Sequence, residues 1–209
     1  MTPFSRAALC VVALSVILAA GGAARAGPAP SLFPLPVGAE WVRVNDDGTE
    51  SISRVVGTKM IKERRCTVVE RRTTGRERER TTRTCYLVTA SDVLVLETTN
   101  PRGELVVLNP PRVALRLPPR AGLSWSWSPA DVPFAFKVAE KWIGEETVRV
   151  KAGTFRAWKL QSITTGEDSE ITAFTWYAPG VGAVRTERKG HRGDRQISGW
   201  SELVRYKIP

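Results

Sequence analysis

The feature that most constrains this chain is its punctuation. From residue 38 onward, turn residues recur every eight to twelve positions, and the intervening segments are short and rich in β-branched and aliphatic side chains. Glu40-Trp41-Val42-Arg43-Val44 alternates and stops at Asn45-Asp46-Asp47-Gly48, a hairpin signal. Ser51 to Thr58, Thr67 to Val69, Tyr86 to Val88, Val93 to Leu96 and Glu104 to Leu108 have strand composition, and Asn100-Pro101-Arg102-Gly103 turns between two of them. In the second half, Phe134 to Val138, Glu146 to Val150, Phe155 to Ile163, Ile171 to Tyr177, Val181 to Arg188 and Ile197 to Tyr206 are separated by Ala152-Gly153, Gly166-Glu167-Asp168 and Ala178-Pro179-Gly180. No stretch of ten residues sustains a period of 3.6. The expected fold is mainly β: a curved antiparallel meander sheet or half-barrel in one domain, with little helix. Pro110 to Pro129 predicts an irregular connection or edge strands, because proline cannot donate to a ladder.

The first residues obey a different rule. Arg6 precedes an apolar run from Ala7 to Ala20, and Ala24-Arg25-Ala26 offers a small-x-small cleavage pattern before Gly27. Such a run falls short of the ~20 residues that span a bilayer as a helix. Residues 1–26 are therefore read as a secretory signal peptide, 27–37 as a proline-rich lead-in and 38–209 as a single antiparallel β domain. The expected location is exported, periplasmic or extracellular, and soluble after cleavage. Cys10 sits inside the apolar run and does not have the setting of a lipoprotein cysteine.

Export bears on the two remaining cysteines. Cys66 and Cys85 are symmetric about Gly75-Arg76, so they are expected to face each other across a hairpin and to form a disulfide. A cross-strand bridge sits better at a non-hydrogen-bonded pair, which predicts a four-residue loop, Thr74 to Glu77, or a bulge. The same hairpin is strongly basic. Nine basic residues lie between Lys62 and Arg83 against four acids, within a chain of net charge +10. Alternation puts Arg76, Arg78 and Arg80 on one face. With Arg71 they form either a solvated, edge-protecting surface or a patch for anionic envelope surfaces. Nucleic acid is not an expected partner, since an exported chain rarely meets it and the hairpin offers no aromatic for stacking.

Little here points to catalysis. There is no nucleophile elbow, phosphate-cradling glycine motif or metal-ligand spacing. The single His191 lies in Lys189-Gly190-His191-Arg192-Gly193 without a nucleophile at diagnostic spacing. No enzyme, metal or cofactor is expected. The seven tryptophans are more informative. Trp125-Ser126-Trp127 aims two indoles to one side of a strand, and Trp142, Trp158 and Trp176 fall on other strands. They either fill the sheet interior or line a concave face that accepts an apolar or amphipathic ligand.

Three stretches carry a family resemblance: Gly144 to Leu160 (GEETVRVKAGTFRAWKL), Thr175 to Val184 (TWYAPGVGAV) and Phe33 to Trp41 (FPLPVGAEW). Together they resemble a TapB-like family of uncharacterised exported bacterial proteins, many of them lipoproteins or periplasmic. Lys151 replaces the proline the family places before the Ala-Gly turn, and the lipoprotein cysteine is missing. The resemblance implies a curved antiparallel sheet similar to lipoprotein-carrier half-barrels and carries over no catalytic residue. The leading expectation is a non-enzymatic exported protein holding a small amphipathic envelope molecule on Trp125, Trp127, Trp142, Trp158 and Trp176. The alternative is a structural or assembly protein of the envelope that meets anionic surfaces through hairpin 62–83.

Overall fold

Short alternating segments and tight turns build twelve strands in the computed structural model, which describes residues 31–74, 79–100, 102–130 and 136–209. They are β1 (Glu40–Asn45), β2 (Glu50–Ile61), β3 (Arg64–Thr74), β4 (Glu79–Val88), β5 (Asp92–Thr99), β6 (Leu105–Arg116), β7 (Ser124–Trp127), β8 (Phe136–Val150), β9 (Gly153–Gly166), β10 (Ser169–Ala178), β11 (Gly182–Arg192) and β12 (Arg195–Lys207). All belong to one antiparallel sheet in the order β6-β5-β4-β3-β2-β1-β12-β11-β10-β9-β8-β7. The described residues contain no helix. Consecutive strands pair everywhere except β6 and β7, and the first strand pairs with the last. The sheet is nearly closed into a barrel, with β6 and β7 as its free edges.

The turn signals act as their chemistry dictates. At the β1–β2 hairpin, Gly48 takes a φ of 79° and donates its N–H to Asn45 O, while Asp47 Oδ1 accepts from the Thr49 amide. Pro110 and Pro111 fall in the edge strand β6, where a missing N–H costs no ladder bond.

Three tryptophans and one ion pair bridge the seam between the edges. Trp125 Nε1 donates to Val113 O, Trp127 Nε1 to Pro110 O and Trp142 Nε1 to Arg116 O, at 2.9, 2.8 and 2.9 Å. These carbonyls lie on β6, so indole N–H groups take the place of a neighbouring strand's amides. Arg112 of β6 also reaches Glu140 of β8 at 2.6 Å.

Bulges decide which residues share a side. Trp142 pairs with Leu160 but Gly144 with Lys159, so Ile143 is the extra residue. Trp142 and Val148, which strict alternation would place on one face, consequently belong to different apolar clusters. One cluster centres on Trp142 with Leu32, Val93, Leu115, Trp125 and Leu160. The other gathers Trp41, Val55, Val148, Val150, Ala157, Trp176, Val184 and Leu203.

The cysteine expectation is corrected by the register. Thr67 pairs with Tyr86 and Val68 with Cys85, so Cys66 lies diagonally from Cys85 instead of opposite it. Diagonal neighbours stand ~7–8 Å apart, beyond the span of an unstrained disulfide. Thr74 pairs with Glu79, a register one position later than the predicted Thr74 to Glu77 loop requires; residues 75–78 lie outside the described residues. Cys66 and Cys85 are free, buried thiols in a small cluster with Leu96. Burial pushes both thiols above their ordinary pKa, Cys85 to about 11 with help from Glu97, whose Oε1 accepts its S–H at 3.3 Å.

Candidate binding cavity

Strand alternation turns one set of side chains into the barrel. On β1 these are Trp41 and Arg43, on β2 Ser53, on β3 Val69 and Arg71, and on β4 Thr82, Thr84 and Tyr86. Thr175 and Tyr177 of β10, Thr186 of β11 and Ser201 of β12 complete the wall, and Phe33 to Leu35 of the lead-in cross it. The cavity is partly open and measures about 360 Å³. Its lining combines aromatic and aliphatic side chains with hydroxyls and two guanidinium groups, and Phe33 lies edge-on to Tyr86 at a centroid distance of 5.0 Å.

These two arginines set the electrostatics. Arg43 Nη2 donates to Ala183 O at 2.5 Å, and Arg71 Nη2 donates to Ser51 Oγ at 3.2 Å. Among the described residues neither forms an ion pair with a carboxylate. Arg43 is half-buried within the wall; burial, then the positive charge of Arg71, lowers its pKa to about 10. Arg71 is open to solvent, yet burial by the protein around it and the nearby Arg188 lower its pKa too. Both remain cationic at neutral pH. Burial raises the pKa of Tyr86 and Tyr177, so their hydroxyls stay protonated and able to donate.

The expected site residues are distributed differently. Trp125, Trp142 and Trp158 come together behind the cavity, with Trp142 at 6.4 Å from Trp125, 6.2 Å from Trp158 and 5.9 Å from the Tyr177 ring. Trp127 is buried against Phe136 at the seam. Trp176 lies on the opposite face from Tyr177, where its indole donates to Glu146 at 2.5 Å and Lys159 sits 4.7 Å above its ring. None of these five lines the cavity; Trp41 does. Of the basic hairpin residues, Arg71 enters the cavity wall, Arg80 is exposed on β4, and Arg76 and Arg78 lie outside the described residues. The thiols of Cys66 and Cys85 belong to the apolar cluster around Leu96, and neither residue is part of the cavity lining.

Sequence reasoning missed Arg43, Tyr86 and Tyr177. A signal for the first was present: in Glu40-Trp41-Val42-Arg43-Val44, strict alternation puts Arg43 on the same face as Trp41. A cation sharing a face with a core aromatic is a candidate for the interior.

Fold and cavity define a class, small β-barrels with a polar-and-aromatic interior. Within it, residues 136–199 match the DUF3108-like family. That segment contains the Gly144–Leu160 and Thr175–Val184 motifs, whereas Phe33–Trp41 precedes it. No curated protein matches the chain. Among solved structures, it is similar to a protein inferred to be exported, with a YmcC-like fold, from Bacteroides fragilis, at 15% identity and a TM-score of 0.45, over 85% of this chain and 99% of that one. It is also similar to an inferred lipoprotein from Parabacteroides distasonis, at 16% identity and a TM-score of 0.45, over 87% and 100% of the two chains.

Proposed function

We propose that this is an exported binding protein whose barrel takes up a small amphipathic molecule of the cell envelope. The observation that carries this reading is the cavity of about 360 Å³, whose lining combines aromatic side chains with hydroxyl and guanidinium groups. A lining that pairs apolar surface with a few convergent polar groups suits a ligand with both characters. Binding rather than catalysis is favoured by the lining itself, which holds no histidine, carboxylate or thiol to serve as a base. The leader at residues 1–26 supports export.

Trp41 reports on the cavity directly, because it lines it and its Nε1 donates to Val181 O. Native mass spectrometry after gentle purification from the source organism is expected to show a retained small adduct. Amphiphile addition is expected to shift tryptophan emission in the wild type and much less in Trp41→Phe. A ligand-free spectrum together with unchanged emission overturns the reading.

A further inference from the structure

We propose that the cavity selects molecules with an oxyanion head, a carboxylate or a phosphate, which Arg43 and Arg71 hold while the aromatic wall takes the apolar body. This inference rests on the amphipathic-binding reading and specifies the head that the ligand must carry.

Charge balance is the first argument. Arg43 and Arg71 line the cavity, and together with Arg112 they act electrostatically on Tyr86. The one acid among them, Glu140, is bound by Arg112 at 2.6 Å and by Ser162 Oγ at 3.0 Å. Among the described residues, Arg43 and Arg71 have no carboxylate in an ion pair to neutralise them. Holding two like charges close together, one of them half-buried, is unfavourable, and a bound anion offsets that repulsion.

Donor capacity is the second. A guanidinium carries five N–H donors in a planar fork that matches carboxylate and phosphate oxygens. Arg43 spends one of its groups on Ala183 O and Arg71 one on Ser51 Oγ, which leaves donors on both for a ligand. Protonated Tyr86 and Tyr177 and the hydroxyls of Thr84 and Ser201 line the same space. The third argument is position. Arg71 pairs with Ser53 on β2, whose other neighbour on β1 is Trp41. An anion held by the arginines thus has its attached chain beside Trp41.

The test is titration of the purified full barrel with decanoate, decyl phosphate, decanol and inorganic phosphate, read by calorimetry. The two acids are expected to bind at least tenfold more tightly than decanol, and the tighter of them identifies the head. Arg43→Met is expected to reduce acid binding to the level at which decanol binds the parent protein. Arg71→Met, at an exposed position, is expected to weaken the acids about threefold and serves if Arg43→Met does not fold. Decanol binding as tightly as both acids, or acid binding unchanged in both variants, overturns this inference and leaves the amphipathic reading standing. No binding by any of the three ten-carbon probes overturns both. Inorganic phosphate binding as tightly as decyl phosphate supports the oxyanion site and overturns the amphipathic reading beneath it.

Discussion

The seam and the cavity are two solutions to the same problem, polar groups enclosed by a small barrel. At the seam most donors are spent: the indoles of Trp125, Trp127 and Trp142 each meet a β6 carbonyl, and Arg112 Nη2 meets Glu140 Oε1. Arg112 Nε and Glu140 Oε2 stay buried without a hydrogen-bond partner among the described residues, inside a pair whose charges cancel. In the cavity Arg43 and Arg71 keep donors and charge in excess of what the protein supplies. Satisfied polar groups specify a structure, whereas unsatisfied ones of one sign specify a missing partner. The contrast sets a seam that holds the fold against a cavity for which we propose recognition.

The comparison breaks most visibly at Trp142, which is fully buried and touches Trp125, Trp158 and Tyr177. Trp142→Ala is expected to cost about 3–5 kcal/mol in urea denaturation; a loss below 1 kcal/mol would show that the seam is not what closes the barrel. Arg112→Met strands Glu140, whose side chain is only 2% exposed, and is expected to cost about 2 kcal/mol given the partial exposure of Arg112. Adding Glu140→Gln should restore at least half of it. Trp127→Phe keeps an aromatic ring but removes the N–H to Pro110 O and part of a buried indole, for a loss of about 1–2 kcal/mol. Arg43→Met sharpens the contrast, since removing an unneutralised charge is expected to leave the melting temperature of the unliganded protein unchanged or slightly raised. A large drop would place Arg43 with the seam residues as a structural group.

The smallest effect concerns pH. Donation by Trp176 Nε1, and more weakly the charge of Lys159, hold the Glu146 carboxyl below its ordinary pKa. A depressed folded-state pKa gives stability that is present above the unfolded value and lost as pH falls through the folded one, because the unfolded chain then binds more protons. Stability should therefore rise with pH through the region just below the ordinary carboxylate pKa of ~4.3. Trp176→Phe should flatten that slope slightly, since Glu146 is about half exposed and screened. An unchanged slope would remove Trp176 as the cause.

Local chemistry made much of the sheet legible beforehand. Asn45 to Gly48, Ala152-Gly153 and Pro179-Gly180 carry their turns in their residue types, and the prolines at 110 and 111 marked an edge. Strands β3 and β4 were underestimated because arginines and threonines conceal the alternation that apolar residues display. The cysteine register could not be read, since a loop displaced by one position changes every pairing and nothing in Thr74 to Arg78 fixes its limits. The cavity was hidden for a related reason. Bulges at Val42/Arg43, Trp142/Gly144 and Trp176/Tyr177 reset which neighbours share a side, so the tryptophans could be counted but not placed.

The pairing of the first strand with the last has a consequence for how the chain could be rewired. The termini of the domain meet in mid-sheet: a Cβ on Gly38 would lie 3.6 Å from Pro209 Cγ. The edges of the sheet, by contrast, are consecutive in sequence and joined through residues 117–123. A circular permutant with its ends cut in that connection and its natural ends linked would turn the pairing most distant in sequence into a hairpin. By lowering contact order it should fold faster than the parent to the same barrel. Its new ends would fray beside the tryptophan seam, which would then be the first part of the molecule to open.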